Sequence, residues 1–296
     1  MFSAVVLPPT VSLFSSTNSS PLQLFSTHVD PNSILRSDSF IHLIRDDTNT
    51  PSPPPPGILV DSSGSENMDK NERGSLSDMH ATTLGGLCQT VLHIQSPTLK
   101  STFIRCPPVR RDMSVPDLDI TLPWVSLQVR TLGSRAWAFE VGFTDRSERK
   151  GVVRCSTFQK TTCLKVEHKP PLLHVPIYFK SVDGTLMSGS SWSTVSLNLQ
   201  DIIHQFAAVN SAQRSLAEQS GEADDSERIP TKRHRRPLFN ERADDGATIT
   251  QPLPSGAFGK VLYIKVYANC RLRRIWFSNG APNDRHPWEF DLYGAS

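Results

Sequence analysis

Residues 260–278, KVLYIKVYANCRLRRIWFS, constrain the fold more than any other part of the chain. Val261, Leu262, Tyr263, Ile264, Lys265, Val266 and Tyr267 are mainly the β-branched, aromatic and apolar types that suit a pleated surface, so a central strand is expected there. Ala268 and Asn269 relax the pattern, and Asn tolerates turn geometry. A second strand follows at once. Its apolar set begins with Cys270 and Leu272, alternating with Arg271 and Arg273, and resumes at Ile275 and Phe277 one position out of phase. A slip of one residue exchanges the two faces of a strand, so a β-bulge is expected near Arg273 and Arg274.

The rest of the chain supplies short strands around this pair. Residues 11–15 and 22–26 read as an opening hairpin joined by Thr17-Asn18-Ser19-Ser20-Pro21, a cluster of turn formers. From 37 to 86 the chain turns to Ser, Asp, Asn, Gly and Pro, with a proline run at 53–56. Too little apolar surface is present there to offset ordering entropy, so a disordered insertion is expected. Strands are expected again at 88–94, 102–106, 124–130, 136–143, 152–158, 172–179 and 194–199, with Trp192 packing over an edge of the core. One helix is expected at 200–210, because Leu199, Ile202, Ile203 and Phe206 form a single apolar stripe. A second disordered insertion, 211–258, is too long and polar to be an ordinary loop; it carries the basic run Lys232, Arg233, His234, Arg235 and Arg236. Trp288, Phe290 and Leu292 alternate, which suggests a last short strand.

The expected organisation is therefore a disordered N-terminus at 1–10 and one domain built from residues 11–36, 87–210 and 259–294, interrupted by the two insertions. Many short strands with turn-rich connections and one short helix predict a mainly β chain folded as an antiparallel β-sandwich of jelly-roll type. Only 37% of the 296 residues are hydrophobic and 23 are proline, which fits one core with unstructured additions.

A net charge of +2 gives no global reason to expect nucleic-acid or membrane binding. No apolar run approaches the roughly 18 residues of a membrane span, and Pro8 and Pro9 interrupt any signal-peptide core, so a soluble, unsecreted chain is expected. The cysteines at 88, 106, 155, 163 and 270 form no CxxC pair and read as reduced, buried thiols. No catalytic, cofactor or metal constellation stands out. His168 and His174 bracket Pro170-Pro171 without a further ligand, and there is no Walker A, GxGxxG or GxSxG motif. Sugar binding through Trp124, Trp137, Trp192, Trp276 and Trp288 is an alternative, weakened by the core position that alternation gives Trp137. The run at 232–236 reads either as a nuclear-import signal or as a solvated charge run balanced by the acids at 222–225.

The segment YANCRLRRIWFS from Tyr267 resembles the C-terminal signature of the cilia- and flagella-associated protein 20 family. Six further blocks agree in order: VSLFSSTNSSPLQLF from Val11, STFIRCP from Ser101, ITLPWVSLQVRTL from Ile120, FEVGFTD from Phe139, CSTFQKTT from Cys155 and WSTVSLNLQDI from Trp192. The resemblance implies a β-sandwich and a non-enzymatic structural role at the inner junction of axonemal doublet microtubules. The implied partners are tubulin and neighbouring junction proteins, and no cofactor, membrane or small-molecule substrate is implied. A location in the axoneme, basal body or centriole follows, with a nuclear or centriolar adaptor as the alternative. Arg271, Arg273, Arg274 and Lys265 are the candidate contacts with an acidic partner, since a guanidinium fork held on a rigid strand suits carboxylates. The competing reading, that the arginines pair with acids of their own domain, is preferred.

Overall fold

The two runs of the 260–278 stretch are strands of different sheets, and the chain is arranged on either side of that division. A computed structural model describes residues 8–30, 38–46, 89–109, 117–179, 192–221, 252–281, 287–290 and 292. Its strands are β1 (Thr10–Ser15), β2 (Ser26–His28), β3 (Phe40–Arg45), β4 (Thr90–Gln95), β5 (Phe103–Cys106), β6 (Trp124–Thr131), β7 (Ala138–Asp145), β8 (Lys150–Ser156), β9 (Cys163–Lys165), β10 (Leu172–Pro176) and β11 (Ser193–Asn198). Helix α1 (Leu199–Gly221), β12 (Phe258–Tyr267), β13 (Cys270–Ser278) and a 3-10 turn at Trp288–Phe290 complete it.

One sheet runs β11-β6-β13-β4-β3; the other runs β2-β5-β12-β7-β8-β10-β9. The two stack as the expected sandwich. Strand β13 changes partner along one edge, pairing with β4 through Cys270–Leu272 and with β1 through residues 274–278. The phase slip in its sequence is a β-bulge at Arg273, where the register with β6 shifts between Leu272 and Arg274. The bulge lets Cys270 and Leu272 on one side of it, and Ile275 and Phe277 on the other, all enter the core. Opposite them lie Ile264 and Val266 of β12, Phe139, Val141 and Phe143 of β7, and Val153 of β8.

Ala268 and Asn269 form the corner at which the chain leaves one sheet for the other. Asn269 takes a left-handed φ of 76° and ties three turns together. Its Nδ2 donates to the Ala136 carbonyl at 3.1 Å, its Oδ1 accepts from Ser96 N at 3.1 Å, and its own N donates to the Ile94 carbonyl. Asn is among the few L-residues that visit this backbone region readily, and its amide satisfies buried backbone groups that water cannot reach.

Several expectations are corrected. The opening hairpin does not form: β1 and β2 belong to different sheets, and Phe14 and Phe25 meet edge to face across the core at 5.6 Å. Leu22 and Leu24 also pack on the core, so the apolar residues of 22–25 serve a crossing and not a strand. The first insertion is entered too early, because FIHLIR forms β3 and pairs fully with β4. Its composition was masked by the Ser- and Pro-rich window around it; residues 47–86 lie outside the described residues. Strands β8 and β10 run parallel, so the second sheet is mixed. The helix continues past 210 to Gly221, since Ala212, Gln213, Arg214, Leu216 and Ala217 are good helix formers even without an apolar stripe. Trp288–Phe290 is a 3-10 turn instead of a strand, started by Pro287, whose carbonyl accepts from Phe290 N. No helix among the described residues is long and apolar enough to cross a membrane.

The corner yields a prediction. Asn269→Ala loses both side-chain bonds and forces a Cβ-bearing residue without compensation into the left-handed region, whereas Asn269→Gly loses only the bonds. Urea unfolding is expected to show both variants destabilised, with the alanine worse by about 1–2 kcal/mol. Equal losses would show that backbone strain plays no part there.

Candidate interaction surface

Two of the three arginines of β13 do not reach solvent. Arg271 and Arg273 are only 3% and 6% exposed, although both point away from the core between the sheets. Arg271 Nη1 donates to Asp46 Oδ1 at 2.7 Å and to the Asp46 carbonyl at 3.1 Å. Asp46, fully buried just beyond the end of β3, also accepts from Arg130 Nη1 at 3.4 Å and from Trp192 Nε1 at 2.6 Å. Arg273 donates to Gln89 Oε1, Gln128 Oε1 and the Glu289 carbonyl. Arg274 lies with its guanidinium 4.3 Å from the Phe290 ring centre. Arg271 and Arg273 are therefore withdrawn as partner contacts: their forks are filled by groups of their own domain. Alternation identified the face they occupy; it carried no information that the same face is covered.

His93 joins this network. Arg271 Nε donates toward His93 Nδ1 at 3.4 Å, so the imidazole proton resides on Nε2, which faces Gln95 Oε1 at 3.3 Å. Burial, reinforced by the Arg271 charge, pushes the His93 pKa down to about 4.

Lys265 is placed differently. Register across the second sheet aligns Arg105 of β5, Lys265 of β12, Glu140 of β7, Arg154 of β8 and His174 of β10 in one row on its outer face. Glu140 is the centre of that row. Arg154 donates to its Oε2 through Nε at 3.0 Å and Nη2 at 2.9 Å, Tyr267 OH donates to Oε2 at 2.9 Å, and Tyr263 OH donates to Oε1 at 3.0 Å. The Tyr263 ring reaches that position by lying across Gly142, where a Cβ would come within 2.2 Å of it.

Aromatic rings space the cations. Arg105 sits over Tyr263 at 4.1 Å, and Lys265 sits over Phe103 at 3.7 Å and Tyr267 at 4.5 Å. Burial acts to raise the Glu140 pKa, but Arg154, Lys265 and the Tyr267 hydroxyl outweigh it and hold the carboxyl below its usual range. Burial, with Arg105 and Arg154 nearby, lowers the Lys265 pKa against the pull of Glu140. Burial raises both tyrosine hydroxyls, with Glu140 adding to it, so they stay protonated donors. His174, buried and bonded to Ser156 Oγ at 2.7 Å, is pushed down to about 4 chiefly by burial and is neutral. Three half-buried cations thus face one carboxylate that Arg154 and two tyrosines already satisfy. Among the described residues, Lys265 and Arg105 have no carboxylate within ion-pair distance. The result is a positive face fixed on seven hydrogen-bonded strands, suited to carboxylates brought by a partner. Its rings are covered by cations and offer no open π-face for stacked bases.

The remaining sequence candidates separate. His168 is exposed and bonded to the Pro170 carbonyl, away from the hydrogen bond that holds His174. Among the described residues no group of three His, Cys, Asp or Glu side chains is placed to hold a metal ion. Burial pushes the thiols of Cys106 and Cys155 up to about 12 and raises Cys270 as well, so these behave as apolar core residues. Trp137 and Trp276 are buried. The run Lys232–Arg236 and Cys88 lie outside the described residues.

A pH dependence follows from His93. An unfolded imidazole takes up a proton near pH 6.5 and the folded one only near 4, so the unfolded state binds more protons between these values and stability falls as pH drops through that window. The His93 share is about 3 kcal/mol. Urea midpoints measured from pH 7 to pH 4 are expected to decline less steeply in His93→Gln than in the parent; parallel slopes would remove His93 from the account.

Comparison with known proteins is consistent with the sequence resemblance. A search of curated proteins finds no match. The family model of the CFA20 domain matches residues 59–213, just over half the chain, from the approach to β4 to the middle of α1. Strands β1, β2, β3, β12 and β13 fall outside that span but are hydrogen-bonded into the same two sheets. The chain belongs to the CFA20 domain family, and is by that membership a cilia- and flagella-associated protein.

Proposed function

We propose that this protein is a non-enzymatic structural component of the axonemal doublet microtubule, at the inner junction or within the doublet, and that the outer face of the second sheet meets an acidic surface of tubulin or of a neighbouring junction protein. The observation that carries this reading is the row Arg105–Lys265–Glu140–Arg154, a positive face on a rigid sheet in a chain of the CFA20 domain family. A filament-bound protein needs little affinity per contact, because contacts repeated along a lattice multiply through effective concentration. Half-buried cations whose geometry is already set by aromatic neighbours lose little side-chain entropy on binding. Residence in the axoneme, with the basal body as a related lattice, is part of the same proposal, and the chemistry asked of the protein is adhesion.

The test is extraction. Axonemes from cells expressing the parent or the Arg105→Gln, Lys265→Gln double variant are demembranated with detergent and washed at rising salt. Release of the double variant at lower salt is expected, corresponding to about 2- to 30-fold weaker binding for two cations worth about 0.2–1 kcal/mol each. Circular dichroism should show the variant folded. Unchanged retention of a folded variant, or recovery of the parent in nuclei or the soluble fraction, would overturn the proposal.

A further inference from the structure

We infer that the end of this basic face carries a socket for a bulky apolar side chain followed by a carboxylate, presented by an extended segment of a partner protein. The inference deepens the reading of the face as a contact surface and rests on it.

A cavity of about 410 Å³ opens where the β6–β7 turn approaches the exits of β8 and β10. Its floor is apolar: Ala136, Ile177 and Phe179 line it, and the latter two pack on the core, Phe179 against Trp137 at 6.1 Å between ring centres. Its rim is formed by Phe158 and Tyr178, each about half exposed and among the most exposed large hydrophobic residues described. Neither ring is loose. Phe158 meets His174 edge to face at 5.5 Å, and Tyr178 OH donates to the Lys160 carbonyl at 2.7 Å. Held apolar rings around a cavity of this size, within the range that accepts a side chain or small ligand, are unusual on a monomer surface without a partner.

Two observations select the occupant. The first is charge. Arg135 stands exposed on the lining, Lys160 is exposed beside Tyr178, and among the described residues none on the lining is acidic. The second is continuity. Along β8 the outward series Arg154, Ser156 leads to Phe158, and along β10 His174, Pro176 leads to Tyr178, while Ile177 and Phe179 turn inward. A segment lying along β8 and β10 on the outer face therefore passes from the Arg154–His174 end of the row to the socket. A carboxylate beside an apolar anchor satisfies Arg135 as the anchor fills the cavity.

The test uses the full-length chain, labelled with nitrogen-15, and three capped dipeptides: acetyl-Trp-Glu-amide, acetyl-Trp-Lys-amide and acetyl-Ala-Glu-amide. The Trp-Glu probe is expected to shift the amide resonances of Gly133, Arg135, Phe158 and Tyr178 in a saturable manner at millimolar concentration, about 2- to 5-fold more tightly than Trp-Lys. Ala-Glu is expected to leave them in place. Arg135→Glu, at an exposed turn, should reverse the order of the two tryptophan probes. No saturable shift at the socket, an equal response to Ala-Glu, or an unreversed order in Arg135→Glu would overturn the inference. Indole-3-acetate binding as tightly as Trp-Glu would make this a small-molecule site and also overturn it. Failure of the titration while extraction remains sensitive to Arg105 and Lys265 removes the socket alone; failure of both removes the contact reading of the whole face.

Discussion

Most of the first sheet depends on one buried carboxylate. Asp46 has no exposed surface, and its two oxygens accept from Arg271, Arg130 and the Trp192 indole, while its backbone binds Gln89 and Arg271. Burying a charge costs several kcal/mol unless its geometry is nearly complete, and here every donor comes from a different part of the chain. Strands β6 and β13 contribute the arginines, the segment before β11 contributes the indole, and the acceptor closes β3. The arrangement is thus a condition on tertiary structure: the carboxylate is compensated only when all of these have taken their places. That explains why Arg271, on the outward side of β13, is not available to a partner, and why a strand in a proline-rich neighbourhood belongs to the fold.

The second sheet solves the same problem with a different balance. Glu140 is compensated by Arg154 and two tyrosines, and the cations beyond it are supported by rings instead of acids. One sheet spends its arginines internally; the other keeps positive charge at the surface. A chain whose net charge is only +2 therefore still has one face of decided sign.

How much of this was legible in the sequence follows from the range of the forces involved. The strand runs, the bulge at Arg273 and the inward set Phe139, Val141 and Phe143 are local consequences of alternation, and they read directly. The transfer between sheets at Ala268 and Asn269 did not, because a turn between strands of one sheet and a corner between two sheets share the same turn-forming residues. Strand β3 was hidden by averaging six apolar-rich residues with their polar flanks, and three-residue β9 is too short for any period to show. Lys265 was singled out as one of four basic residues near a motif; its row with Arg105, Glu140 and Arg154 exists only through cross-strand register, which no single strand encodes. The socket at Phe158 and Tyr178 is likewise made by two strands lying parallel, a pairing that neighbouring sequence gives no reason to expect.

The change of partner along β13 bears on how the molecule is made. Strand β1 is made before every other described strand, yet its partner β13 is the last of them, with Thr10 matched to Ser278. Until β13 emerges, β1 has no neighbour among the described strands of its sheet, and Leu13 and Phe14 have no completed core to enter. Pairings of such sequence separation form slowly and leave strand edges open in the meantime. Strand β13 also separates β6 from β4, so the first sheet cannot be assembled progressively from its early strands. The sandwich therefore cannot close until synthesis has passed Ser278, and the nascent chain must be kept from premature edge-to-edge association over the whole interval between β1 and β13.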